Sequence, residues 1–138
     1  MNDHQIEQEI QAKGLTAPRV TPGDIEANIV AEYYFTAKDG IVGCEGATPS
    51  HSQLGLLTFC VLVLRNGFTV TGESACASPE NFDAEIGRRI ARANAVQKIW
   101  LLMGYKLRSK LVAQPAEPDF LAGSQACNLE DGICEACQ

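Results

Sequence analysis

The chain has 138 residues, 46% of them hydrophobic and 20% charged, and a formal net charge of −6. That size fits one globular domain with a modest core. The acidic balance disfavours long DNA or RNA, whose binding rests on many phosphate contacts. No apolar run is long enough to span a bilayer, and the opening MNDHQIEQEI is unlike a signal or transit peptide, so the expected location is the cytoplasm.

Charge is unevenly spread. Residues 1–39 hold seven acids against three bases and residues 112–138 five acids and no base, whereas residues 79–111 hold seven bases against three acids. A local basic face on an acidic protein suits a small anionic ligand rather than a polyanion.

In chain order, HQIEQEIQAK over 4–13 predicts a short helix closed by Gly14, and residues 1–20 read as an N-terminal extension. Thr21-Pro22-Gly23-Asp24 is a helix start: Thr21 as cap, Pro22 in the first position and Asp24 on the dipole. Ile25, Ile29, Val30 and Tyr33 recur at helical spacing, which predicts a helix over 22–36 that ends at Asp39-Gly40. GIVGCEGATPSHSQ over 40–53 reads as a loop with at most a short strand at Ile41-Val42; it is either a plain connector or a cover for a site.

Residues 56–64 and 68–74 read as the two strands of a hairpin around Asn66-Gly67, both residues tolerating positive φ. The first strand is nearly all apolar and is expected to be buried on both faces. Two strands are marginal alone, so a third strand or a partner subunit is expected. Ser78 or Asn81 should cap a long basic helix whose stripe is Phe82, Ile86, Ile90, Ala93, Gln97, Trp100, Gly104, Leu107 and Leu111, running to 112 or bending at Gly104. Residues 114–138, with two prolines, five acids and three cysteines, read as an acidic, flexible tail. The fold class is therefore α+β: a small antiparallel sheet packed with helices, with one ligand-binding domain over 21–113.

No catalytic constellation emerges. Cys127, Cys134 and Cys137 fall one short of a structural zinc set and have no histidine beside them, so they read as an incidental cluster. Cys60 sits inside an apolar strand, where it behaves as a small hydrophobe. His51 stands in the Gly/Ser/Pro loop, and Ser50-His51-Ser52 cannot form a triad because neighbours in sequence do not present that geometry. The glycines at 40, 43 and 46 lack the lysine of a phosphate loop. Neither metal nor cofactor is expected, and the composition favours a binding protein over an enzyme.

The candidate binding residues are Arg65, Asn81, Phe82, Arg88, Arg92, Asn94 and Arg108. Arginine meets phosphate bidentately, asparagine reads a ribose or base edge, and an aromatic ring stacks on a base. For most of these cations the plain alternative is a solvated helix face; only the combination of arginine, asparagine and aromatic around one helix start points to a nucleotide.

The pieces NGFTVTGES, NFDAEIG, A-x-x-N-A-x-x-K-I-W and GYKLRSKL, within a match over roughly 20–112, resemble a family of small phage proteins that contains Thoeris anti-defence protein one. The resemblance implies a sponge: it binds cyclic ADP-ribose isomers made by TIR-domain enzymes, such as glyco-cyclic ADP-ribose, and holds them uncleaved. It also implies relatives that share a helical hairpin with anti-CBASS sponges and bind cyclic oligonucleotides, and homo-oligomers from dimer to hexamer. The alternatives are a sponge for cyclic di- or trinucleotides, or a protein-interaction module that blocks a host factor. The cysteine-bearing tail is no part of the resemblance.

Overall fold

The computed structural model describes residues 2–113; the expectations for the acidic cysteine tail lie outside that range. A first helix, α1 (Asp3–Ala12), starts from a capping box at Asn2 and stops at Lys13, with Gly14 following at φ +66°. The Thr21 signal acts as expected, with a capping box to Asp24, but the helix it starts, α2, covers only Pro22–Asn28.

From Ile29 the chain becomes a strand, β1 (Ile29–Thr36), so the helix expected to reach residue 36 is replaced by the third strand the hairpin needed. IVAEYYFT is β-branched and aromatic, and pairing with the hairpin outweighs the helical spacing of Ile25, Ile29 and Tyr33. Thr36 then caps another helix, α3 (Ala37–Glu45), by a third capping box to Asp39, and Gly46 closes it at φ +70°. Asp39-Gly40 is thus a helix start, not a stop, and much of the expected 40–53 loop is helical, with a 3-10 turn over Ser52–Leu56.

The hairpin is β2 (Leu57–Leu64) and β3 (Thr69–Ala75). The sheet is antiparallel in the order β1-β2-β3, with Tyr34 opposite Cys60 and Cys60 opposite Gly72. Within the turn, Gly67 takes positive φ, +85°, and Asn66 does not. The Gly67 N–H donates to Leu64 O at 2.9 Å and Phe68 N–H to Asn66 Oδ1 at 2.9 Å, so Asn66 shapes the turn with its side chain rather than with a left-handed backbone.

The long helix is α4 (Ala84–Ala113), unbroken through Gly104. Its start is fixed by Asp83, whose Oδ1 accepts from Ile86 N–H at 3.0 Å; Ser78 and Asn81 belong to a separate 3-10 turn over Pro79–Asn81. The buried stripe of α4 is Gly87, Ala91, Ala95, Val96 and Ile99, while the expected Ile86 and Ile90 are 48% and 47% exposed. Small residues win the inner face because the helix lies almost on the backbone of β3. A Cβ on Gly72 would stand 2.1 Å from Ala91 O and 2.4 Å from Ala95 N.

The core is Ile25, Cys60, Leu62, Leu64, Val70, Ala91, Ala95, Val96 and Ile99. Burial alternates strictly along β2, with Thr58, Cys60, Leu62 and Leu64 buried and Leu57, Phe59, Val61 and Val63 only half covered. The double-sided burial expected of β2 is therefore replaced by one face against α4 and one largely open face. No helix among the described residues is long and apolar enough to cross a membrane.

Candidate functional site

The hairpin turn, the end of α2 and the distal part of α4 meet around a cleft of about 500 Å³. Arg65 organises it. Its N–H donates to Asn28 O at 3.0 Å and its Nε to Ala27 O at 2.6 Å, so a guanidinium closes the C-terminal end of α2, where the helix dipole favours a cation. Asn28 reaches across to α4, donating from Nδ2 to Met103 Sδ at 3.5 Å. Leu64, Leu102 and Met103 give an apolar lining, and Phe68, Asn66 and Lys106 stand around it. Phe68 is 55% exposed, an unusual position for a ring with no neighbour stacked on it among the described residues. Asp24 also lines the cleft, with its carboxylate accepting from Thr21 N–H at 2.9 Å.

Two cations against one carboxylate, with two amides and a ring around an apolar floor, can take a compact, partly anionic, partly planar molecule, and the volume lies in the usual range for such ligands. Of the seven residues singled out from sequence, only Arg65 lines this cleft. Arg92 is held between two carboxylates, Nη2 to Glu26 Oε2 at 2.8 Å and Nε to Glu32 Oε2 at 2.8 Å. Those hydrogen bonds raise its pKa and lower that of Glu26, and they occupy the donors a phosphate would need. Asn94 donates to Glu73 O at 2.8 Å and so seals part of the outer edge of β3. Arg88 lies over the Tyr34 ring, 5.9 Å from its centre, a cation–π contact. Burial pushes the Tyr34 hydroxyl up to about 12, so it stays protonated there.

Asn81 is exposed in the 3-10 turn, and Phe82 is half-buried just after it. Arg108 is exposed near the far end of α4; it and Arg88 stand 20 residues apart on one helix, about 30 Å. Within one chain these seven side chains do not converge. The 40–53 segment cannot cover the cleft either: it follows the Thr36 end of β1, whereas the cleft adjoins the Asn28 end. Asp24, Asn28, Asn66, Phe68 and Lys106 are the polar and aromatic cleft residues that sequence reasoning did not select as binding residues. Lys106 is one of the seven bases over 79–111, and its spacing of three from Met103 is the sequence signal that puts both on one face of the long helix.

A second depression, about 450 Å³, lies between α1, α2 and α4 and includes Arg89, Arg92 and Trp100. It is bridged by the N-terminus, Trp100 Nε1 donating to Asp3 Oδ2 at 3.2 Å. No group of three or more His, Cys, Asp or Glu side chains among the described residues could hold a metal ion.

A three-stranded sheet backed by one long helix, with an open cleft of mixed polarity at the hairpin end, defines a small α+β protein. The chain belongs to the Phage protein (N4 Gp49/phage Sf6 gene 66) family, whose match spans residues 20–111, from just before α2 almost to the end of α4 and without α1. No curated protein and no solved structure matches it.

Proposed function

We propose that this phage protein sequesters a cyclic ADP-ribose isomer such as glyco-cyclic ADP-ribose, in the cytoplasm of the infected bacterium, without cleaving it. The reading rests on the resemblance of its NGFTVTGES and NFDAEIG segments to anti-Thoeris sponges. The observation that supports it most is the cleft lined by Arg65, Lys106 and Phe68 together with an apolar floor. The cations suit a pyrophosphate, the ring an adenine, and Asn28 and Asn66 the ribose hydroxyls. Retention of a signal requires binding alone, so the residues act by charge, stacking and exclusion of water.

Calorimetry with glyco-cyclic ADP-ribose tests this. Tight binding is expected for the wild type, with about tenfold weaker binding for Phe68→Ala and for Lys106→Ala. Heating the complex should release intact ligand. Recovery of a cleaved product would replace the sponge with an enzyme, and displacement by cyclic di- or trinucleotides would shift the preferred signal class. Unchanged affinity in both variants, with a loss in Phe82→Ala or Arg108→Ala, would move the site to the helix face.

A further inference from the structure

The two edges of the sheet are built differently. On β3, Thr69 and Thr71 are polar and Asn94 covers the Glu73 carbonyl. On β1, IVAEYYFT carries neither lysine nor proline, and its one charge, Glu32, is already bound to Arg92. Thr36 N–H points away from β2, since it donates to Asp39 Oδ2 at 2.9 Å. By alternation the N–H and C=O groups of Tyr34 and Glu32 also point outward, and they have no backbone partner among the described residues. Val30 and Tyr33 are 59% and 61% exposed, and Phe35, stacked on Phe59 at 5.4 Å, is 39% exposed. An open apolar edge of this kind is a template for another strand.

We propose that β1 pairs antiparallel with β1 of a second copy of the chain, about a two-fold axis at Tyr33, to give a continuous six-stranded sheet. The register follows from charge and sterics. An axis at Glu32 would set two carboxylates opposite each other, which is unfavourable. An axis at Tyr34 would pair Glu32 with Thr36, whose N–H is already taken by Asp39. An axis at Tyr33 pairs Glu32 with Tyr34 of the second copy, twice, so that all the outward groups of both residues are used. It also sets Ala31 opposite Phe35 and Tyr33 opposite itself, extending the Phe35–Phe59 aromatic row across the axis. Arg88, which stands over Tyr34 and has no carboxylate partner among the described residues, then comes beside Glu32 of the second copy. The contact is self-complementary, as a closed dimer requires. It is independent of the ligand reading.

Sedimentation of the full chain tests the pairing. The wild type should run as a dimer or a multiple of it. Tyr33→Lys and Tyr33→Glu should each run as monomers, and an equimolar mixture of the two should recover the dimer, because lysine then faces glutamate. In a background with Cys44, Cys76 and the tail cysteines changed to serine, Tyr33→Cys should close a disulfide across the axis, where paired Cα atoms lie about 4.5 Å apart. A wild type that sediments as a monomer, as it would if its own tail or nothing occupied the edge, overturns the proposal. So does an assembly that persists in both charge variants. If either charge variant fails to fold, the cysteine cross-link decides alone: absence of the disulfide in a dimeric protein places the interface elsewhere.

Discussion

Gly72 is the residue on which the architecture turns. Any side chain there would overlap the α4 backbone at Ala91 and Ala95, and backbone atoms cannot step aside as a flexible side chain can. Gly72→Ala should therefore cost about 3 kcal/mol and lower the melting temperature by about 10 °C, read by thermal circular dichroism. A melting temperature within two or three degrees of wild type would show that helix and sheet are less tightly joined. The sequence around Gly72 reads only as an alternating strand, because the closeness of Ala91 and Ala95 appears once the chain has folded. Arg92 and Asn94 were legible as polar groups on a basic helix, but their tasks were not. Each is spent on a partner 21 or more residues away, Glu26, Glu32 or Glu73. Chemistry-bearing residues and structural ones look alike until those partners are known.

Elements fared unequally for a physical reason. The hairpin was legible because its signals are local, an Asn-Gly turn between two runs of strand formers. The Thr21 helix start was equally local and correct, yet its end depended on β1 pairing with β2, a contact between residues such as Tyr33 and Val61 that no short window contains. The stripe of α4 was displaced for a similar cause: hydrophobicity ranks Ile86 and Ile90 above Gly87 and Ala91, whereas close approach ranks them the other way. Where α2, β1 and α4 meet, Glu26 and Glu32 both grip Arg92. The Arg92 hydrogen bond holds the Glu26 carboxyl below its ordinary 4.5. The native state thus binds fewer protons than the unfolded chain as pH falls, so this contribution is present above pH 4.5 and is lost as pH drops through the lowered value. Urea melts between neutral and acid pH should show that loss, and Arg92→Leu should flatten it. An equally steep acid slope in Arg92→Leu would assign it to other carboxylates, Glu7 and Asp39 among them, whose pKa values are lowered by Arg19 and by the Thr36 N–H.

At the scale of the molecule, α1 is an addition to the family's domain. It buries no residue completely, lies outside the matched span, and is tied down by Glu7–Arg19 and Asp3–Trp100. Removal of residues 1–19 should leave a cooperative melt while shifting Trp100 fluorescence to longer wavelength as its indole gains water. A non-cooperative melt would make α1 part of the domain rather than a strap on it. The sheet beneath has a different use for the experimenter. Cys60 is fully buried in the central strand, and burial raises its pKa, so its thiol is both sealed and disfavoured as a thiolate. Cys44 and Cys76, by contrast, are exposed and partly exposed. A thiol reagent can reach Cys60 only when helix and sheet part company, so its labelling rate counts openings of the whole core, and the protein carries its own clock for them.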